Sequence, residues 1–109
     1  KYGKGVPVSA EENSQLMLYG LGAYNAFELD YDLHTVRMTI VQPRLDDVTE
    51  FEMEVSDLLD WAENVVKPAA LLADAGKGEL NPGPWCKFCR ARSICKARAE
   101  ANLALTSYD

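Results

Sequence analysis

The sequence predicts an α/β chain: a largely apolar helix, a pair of strands, a second helix interrupted by proline, and a cysteine-bearing helical tail. Three observations carry that prediction. "VRMTI" and "TEFEMEV" alternate apolar and polar residues with the period of a half-buried strand. "AEENSQLMLYGLGAYNAFE" and a stripe from Leu58 to Leu72 repeat instead at helical spacing. The stretch "WCKFCRARSIC" then gathers all three cysteines into ten consecutive positions. A length of 109 residues, 48% hydrophobic and 26% charged, suits one small folded domain and argues against a long disordered tail.

Taken in order, residues 1 to 3 read as the end of a strand, followed by a loop marked by Gly3, Gly5 and Pro7. The chain opens on Lys1 rather than methionine, and the expectation is that it forms the C-terminal part of something longer. From Ala10 the pattern turns helical. Glu11 and Glu12 would occupy the first turn, where the helix dipole favours anions. The helix is apolar on nearly every side and is therefore expected to be buried. Gly20 and Gly22 cost such a helix about 1 kcal/mol each in propensity, which predicts a close approach there.

Val36, Met38 and Ile40 then form the inner face of the first strand, and Phe51, Met53 and Val55 that of the second. "PRLDD" between them is a turn, and Asp46 and Asp47 belong to that turn rather than to a metal site. Ser56 is expected to cap the next helix, whose stripe is Leu58, Ala62, Val65, Ala69 and Leu72. Pro68 inside it predicts a kink or a division. Trp61 reads as core and Trp85 as loop packing. "AGKGELNPGP" ends the helix, and a final helix is expected after Cys89. The expected division is 1–80 for the folded body and 81–109 for the cysteine loop and last helix.

The net charge of -6 argues against a purely electrostatic nucleic-acid binder. Its distribution is uneven: Lys87, Arg90, Arg92, Lys96 and Arg98 cluster near the C-terminus, while acids concentrate between Glu28 and Asp60. No apolar run reaches the roughly 20 residues that span a bilayer, and no signal segment is evident, so a cytoplasmic location without membrane partners is expected.

Cys86, Cys89 and Cys95 have the spacing C-x2-C-x5-C. An odd number of clustered cysteines does not suit a secreted disulfide framework. Two thiolates separated by two residues, with a third from the following helical turn, suit tetrahedral zinc or an iron–sulfur cluster, each of which takes four ligands. The fourth is expected from a cysteine upstream of Lys1, with His34 a weaker candidate. The plain alternative is three free thiols acting as small buried hydrophobes, which the polar neighbours in "WCKFCRAR" disfavour.

"KYGKG", "QLMLYGLGAY" and "CKFCRARSIC", in that order and over most of the chain, resemble the RecB-like branch of the PD-(D/E)XK nucleases. The likeness is nearest to phage-encoded exonucleases related to the CRISPR-associated RecB-like nucleases. The resemblance implies that the chain is the C-terminal half of a restriction-endonuclease-like fold plus the cysteine-bearing tail. Lys1 would be the lysine closing the catalytic acid-x-lysine motif, and Gln15 and Tyr19 the family's Q-x-x-x-Y pair. Cys86, Cys89 and Cys95 would be three ligands of a 4Fe-4S cluster or Zn2+.

The implied activity is metal-dependent cleavage of DNA, as an exonuclease, with Mg2+ or Mn2+ held by carboxylates that would precede Lys1. A lysine near the metal stabilises the charge that develops on phosphate. Gln15 and Tyr19, four apart, share one helix face directed at the same site, and Gly22 would leave room there for a backbone. Lacking those carboxylates, the 109 residues alone are expected to be inactive while the longer parent cleaves. Implied partners are DNA and other phage recombination or replication proteins. Two rival readings remain: a non-catalytic module in which the knuckle with Arg90, Arg92 and Lys96 grips nucleic acid or a partner, and a purely structural metal clip.

Overall fold

Strands β1 (Thr35–Gln42) and β2 (Asp47–Glu54) pair antiparallel, from Thr35 opposite Glu54 to Gln42 opposite Asp47. The chain is thus mixed α/β around a two-stranded sheet. The structure is a computed structural model, and it describes residues 3–107, so Lys1 lies outside the described residues. The chain divides into two compact units, Lys1–Leu71 and Leu72–Asp109, each described here by itself.

In the first unit, period-two alternation puts Val36, Met38, Ile40 and Gln42 on the covered face of β1, with Thr49, Phe51 and Met53 beside them on β2. The opposite face is exposed, and there the Arg37 guanidinium donates to Glu52 Oε2 from Nη2 and Nε at 3.1 and 3.2 Å. Residues Pro43–Leu45 form a single 3-10 turn, and Asp46 follows at φ 48° with its amide donating to the Pro43 carbonyl. Asp46 thus ends the turn, as the sequence predicts, whereas Asp47, also expected in the turn, is the first residue of β2.

Helix α1 (Ser14–Phe27) begins four residues later than the periodicity suggests. Short side chains intercept the backbone first: Asn13 Oδ1 accepts the Leu16 amide, Asn13 Nδ2 donates to the Ser9 carbonyl, and Ser9 Oγ accepts the Glu11 amide. Glu11 and Glu12 therefore precede the helix, Glu12 at φ 47°.

The expectation that α1 is buried is corrected. Of its residues only Met17 and Gly20 are buried, against Met38 and Leu58, while Leu18, Tyr19 and Phe27 are exposed. The reason is geometric: two strands about 4.8 Å apart give a floor wide enough for one face of a helix and no more.

The two glycines of α1 differ. A Cβ at Gly20 would lie 3.0 Å from Val36 Cγ1 and 3.8 Å from Leu58 Cδ2, so the helix rests on β1 where a side chain is missing. Gly22 is exposed with nothing within 4 Å of such an atom, so the room expected at Gly22 serves no described neighbour. Gly22→Ala should stabilise the unit by up to about 1 kcal/mol through helix propensity. Gly20→Ala gains the same propensity but presses on Val36, so its net gain is smaller or negative. Paired urea titrations check this, and equal gains from both substitutions would contradict it.

Gln42 is the buried polar side chain of the described core, 3% exposed. Its Oε1 accepts the Val8 amide at 2.8 Å and its Nε2 donates to the Val6 carbonyl at 2.9 Å. One side-chain amide thereby bonds an extended segment as a neighbouring strand would. Ala10, fully buried, is held alongside by its amide donating to Thr49 Oγ1 at 3.0 Å.

Helix α2 (Val55–Trp61) follows β2 directly. Ser56 is not its cap, correcting the expectation: Glu54 is the N-cap, and the Val55 amide is satisfied by the His34 carbonyl at 2.8 Å, one step beyond the sheet ladder. A π-helical turn, Ala62–Val66, leads to α3 (Lys67–Asp74). This is the predicted division at Pro68, because a residue without N–H whose ring crowds the preceding turn forces the ladder to widen there. The stripe is covered only at its start: Leu58 is fully buried and Ala62 half-buried, whereas Val65 and Ala69 are exposed.

In the second unit, α3 ends where the Lys77 amide donates to the Leu72 carbonyl and the Gly76 amide to that of Ala73, with Gly76 at φ 66°. That bonding pattern is a Schellman close, which favours glycine at this position. Residues Pro84–Phe88 form a 3-10 turn, and α4 (Lys96–Ala104) follows. The helix expected directly after Cys89 thus begins at Lys96. Residues between them are in turns, and Arg92 Nη1 donates to the Lys87 carbonyl, the group that an Ala91 amide would use in a helix continued through Cys89. Among the described residues, no helix is long and apolar enough to cross a membrane.

Candidate functional site

Helix α1 presents Gln15 and Tyr19 one turn apart on a face turned from the core. Gln15 Nε2 donates to Tyr19 Oη at 3.0 Å. Both line a cleft of about 370 Å³ whose other walls include Val8, Asn13, Thr39 and Val41. The pair is exposed, with Tyr19 64% accessible, so its hydrogen bond is not a buried structural link. None of the residues lining the cleft is an Asp or Glu. Val8 joins the cleft because Gln42 holds its backbone, and Val8 belongs to the segment that follows Lys1.

In the second unit, Cys86, Cys89 and Cys95 line one cavity of about 370 Å³, together with Leu80, Pro82 and Trp85. The Cys86 amide donates to the Gly83 carbonyl at 3.0 Å, and the Gly83 amide donates back to Cys86 Sγ at 3.3 Å. The Cys89 amide then donates to the Cys86 carbonyl at 3.2 Å. Gly83 is extended, and a Cβ there would overlap the indole of Trp85, whose Nε1 donates to the Asn81 carbonyl. Trp85 is thus loop packing, as expected, though it stays largely exposed.

Cys95 is the N-cap residue of α4, which corrects its expected place inside a helical turn. The donor chemistry suits zinc or iron–sulfur ligation. The arrangement is open, however: among the described residues, no three His, Cys, Asp or Glu side chains are grouped closely enough to hold a metal ion. His34 lies in the first unit, its Nε2 3.0 Å from Asp32 Oδ2.

A family model matches residues 1–109, the whole chain. The chain belongs to DUF2800. That family is described as a protein of unknown function, and no solved structure matches the chain.

Two features of this DUF2800 chain escape a reading by motif. Phe27 and Tyr31 pack edge to face, centroids 6.3 Å apart, on a groove of about 440 Å³ that also takes in Tyr24, Leu33 and Val36. Their four-residue spacing runs past the end of α1, so it carries no helical signal. The Tyr24 phenol is held above its usual range, first by its hydrogen bond with Glu28, then by desolvation and by the Glu28 charge. The charge pattern also separates by unit. Residues 1–71 hold thirteen carboxylates against five basic side chains, whereas residues 72–109 hold six basic against four acidic.

Proposed function

We propose that this chain is the second half of a RecB-like PD-(D/E)XK nuclease that cleaves DNA, as an exonuclease, within a longer cytoplasmic parent of phage type. The supporting observation is the Gln15–Tyr19 pair, hydrogen-bonded and exposed on a cleft that also takes in Val8, close in sequence to Lys1. Because Gln15 donates to the phenol oxygen, the phenol proton is left to donate outward, which suits a phosphate oxygen. Gln15 uses one N–H on Tyr19 and keeps a second to donate to the substrate backbone, while its carbonyl would accept from the Lys1 ammonium. Lys1 supplies positive charge for the phosphate.

A divalent ion, Mg2+ or Mn2+, on carboxylates of the parent would activate water and neutralise the developing charge. The isolated 109 residues, without those carboxylates, do not cleave. Cys86, Cys89 and Cys95 would hold zinc or a 4Fe-4S cluster with one further thiolate of the parent, bringing the basic second unit to the DNA backbone through Lys87, Arg90 and Arg92. The rival reading, a binding module without catalysis, is favoured by the concentration of basic side chains around the thiols. Lys1→Ala in the parent separates the two. Lost cleavage with retained DNA binding supports the nuclease, and unchanged cleavage rejects it.

A further inference from the structure

We propose that Cys86 and Cys89 form a reversible dithiol–disulfide pair, oxidised by a low-molecular-weight disulfide such as glutathione disulfide, while Cys95 stays a thiol. The inference stands apart from the nuclease reading and rests on the turn. The Cys89 amide donates to the Cys86 carbonyl at 3.2 Å, which closes a four-residue turn with the two cysteines at its ends. A turn of this kind brings its end Cα atoms within about 7 Å. Disulfides bridge Cα separations of about 4.4 to 6.8 Å, so little backbone movement is needed.

The local structure holds one sulfur and exposes the other. Cys86 Sγ is fixed by the Gly83 amide at 3.3 Å, and the turn before it is pinned by the Trp85 ring over Gly83. Cys89 is exposed, and both line the cavity of about 370 Å³, which gives a small disulfide access. Lys87, Arg90 and Arg92 in and beside the turn complement the carboxylates of glutathione. Cys95 is placed differently, six residues beyond Cys89 at the start of α4, with its carbonyl accepting the Ala99 amide.

The chemistry is two exchanges. The Cys89 thiolate attacks one sulfur of glutathione disulfide, forming a mixed disulfide and releasing one glutathione thiolate. The Cys86 thiolate then attacks the Cys89 sulfur, forming the Cys86–Cys89 bond and releasing the second glutathione thiolate. The two cysteine protons pass to the two departing thiolates, so two protein thiols are oxidised and one glutathione disulfide is reduced. The oxidised pair has no thiolates to offer a metal, so the redox poise would decide whether this turn can act as a ligand.

The test uses the 109-residue chain, treated with chelator, reduced, and equilibrated in glutathione buffers of rising oxidised fraction. Acid quenching, thiol labelling and peptide mass mapping then locate the bonds. The free-thiol count should fall from three to one with the label on Cys95. Cys95→Ser should form the same bond, and Cys89→Ser should not form it. In urea the tendency to form the Cys86–Cys89 bond should drop several-fold, because the folded turn preorganises it. A bond to Cys95, glutathione adducts that never resolve, or a tendency unchanged in urea would each overturn the proposal.

Discussion

On the proposed nuclease reading, Tyr19→Phe in the longer parent is expected to lower the rate of DNA cleavage by about 10²–10³-fold, the loss typical of removing one donor aimed at developing charge. DNA affinity and melting temperature stay close to the parent's. Stability is spared because the phenol is exposed and its hydrogen bond with Gln15 is a surface contact. Gln15→Ala has an effect of the same order, since without Gln15 the phenol loses the partner that orients it. The double substitution is then no worse than the more severe single one, because residues acting as a unit are not additive. Single-turnover cleavage with separate binding isotherms checks this. Full activity in Tyr19→Phe, or a loss confined to binding, would remove the pair from the reaction.

Leu58→Ala is the second large effect and concerns stability. Leu58 is the fully buried large side chain of the first unit and meets Met17, Met38 and the open position at Gly20. Truncation at such a site costs about 2–5 kcal/mol, the lost transfer energy plus the cavity left behind. Small domains hold only about 5–15 kcal/mol in total, so a large part of the native population is expected to unfold under mild urea. Val65→Ala tests the contrast on the same sequence stripe. Val65 is 54% exposed, and its truncation should stay within about 0.5 kcal/mol. Urea titration followed by circular dichroism compares them, and equal losses would mean that the outer half of the stripe is covered in solution.

The elements with the cleanest periods were the most legible. The hairpin follows from alternation at Val36, Met38 and Ile40 against Phe51 and Met53, where a slip of one residue would bury charge. Pro68 announced the divided helix through its missing donor. Legibility failed where a local side chain competed with the period. Asn13 and Ser9 delay α1, while α2 begins one residue before Ser56 and the Ser56 hydroxyl donates to the Glu54 carboxylate instead of accepting a helix amide.

Burial was legible only in part. An all-round apolar helix implies cover on every face, but two strands supply one face. Gln42 was invisible for the opposite reason: a glutamine between apolar neighbours does not declare that its amide bonds Val6 and Val8. At the candidate site, four-residue spacing was enough to foresee that Gln15 and Tyr19 share a helix face, but not that they hydrogen-bond each other. Spacing also brought the three cysteines to one cavity, yet it could not give their separations, because the turns between Cys89 and Cys95 depend on the Arg92 contact with the Lys87 carbonyl.

The central claim is tested most directly by incubating labelled DNA with the purified longer protein in Mg2+ or Mn2+, and again after chelation, and resolving the products by size. The account predicts progressive shortening of the DNA that stops when the metal is removed. DNA that stays intact under every metal condition while the protein binds it would contradict the nuclease reading and leave the binding module in its place.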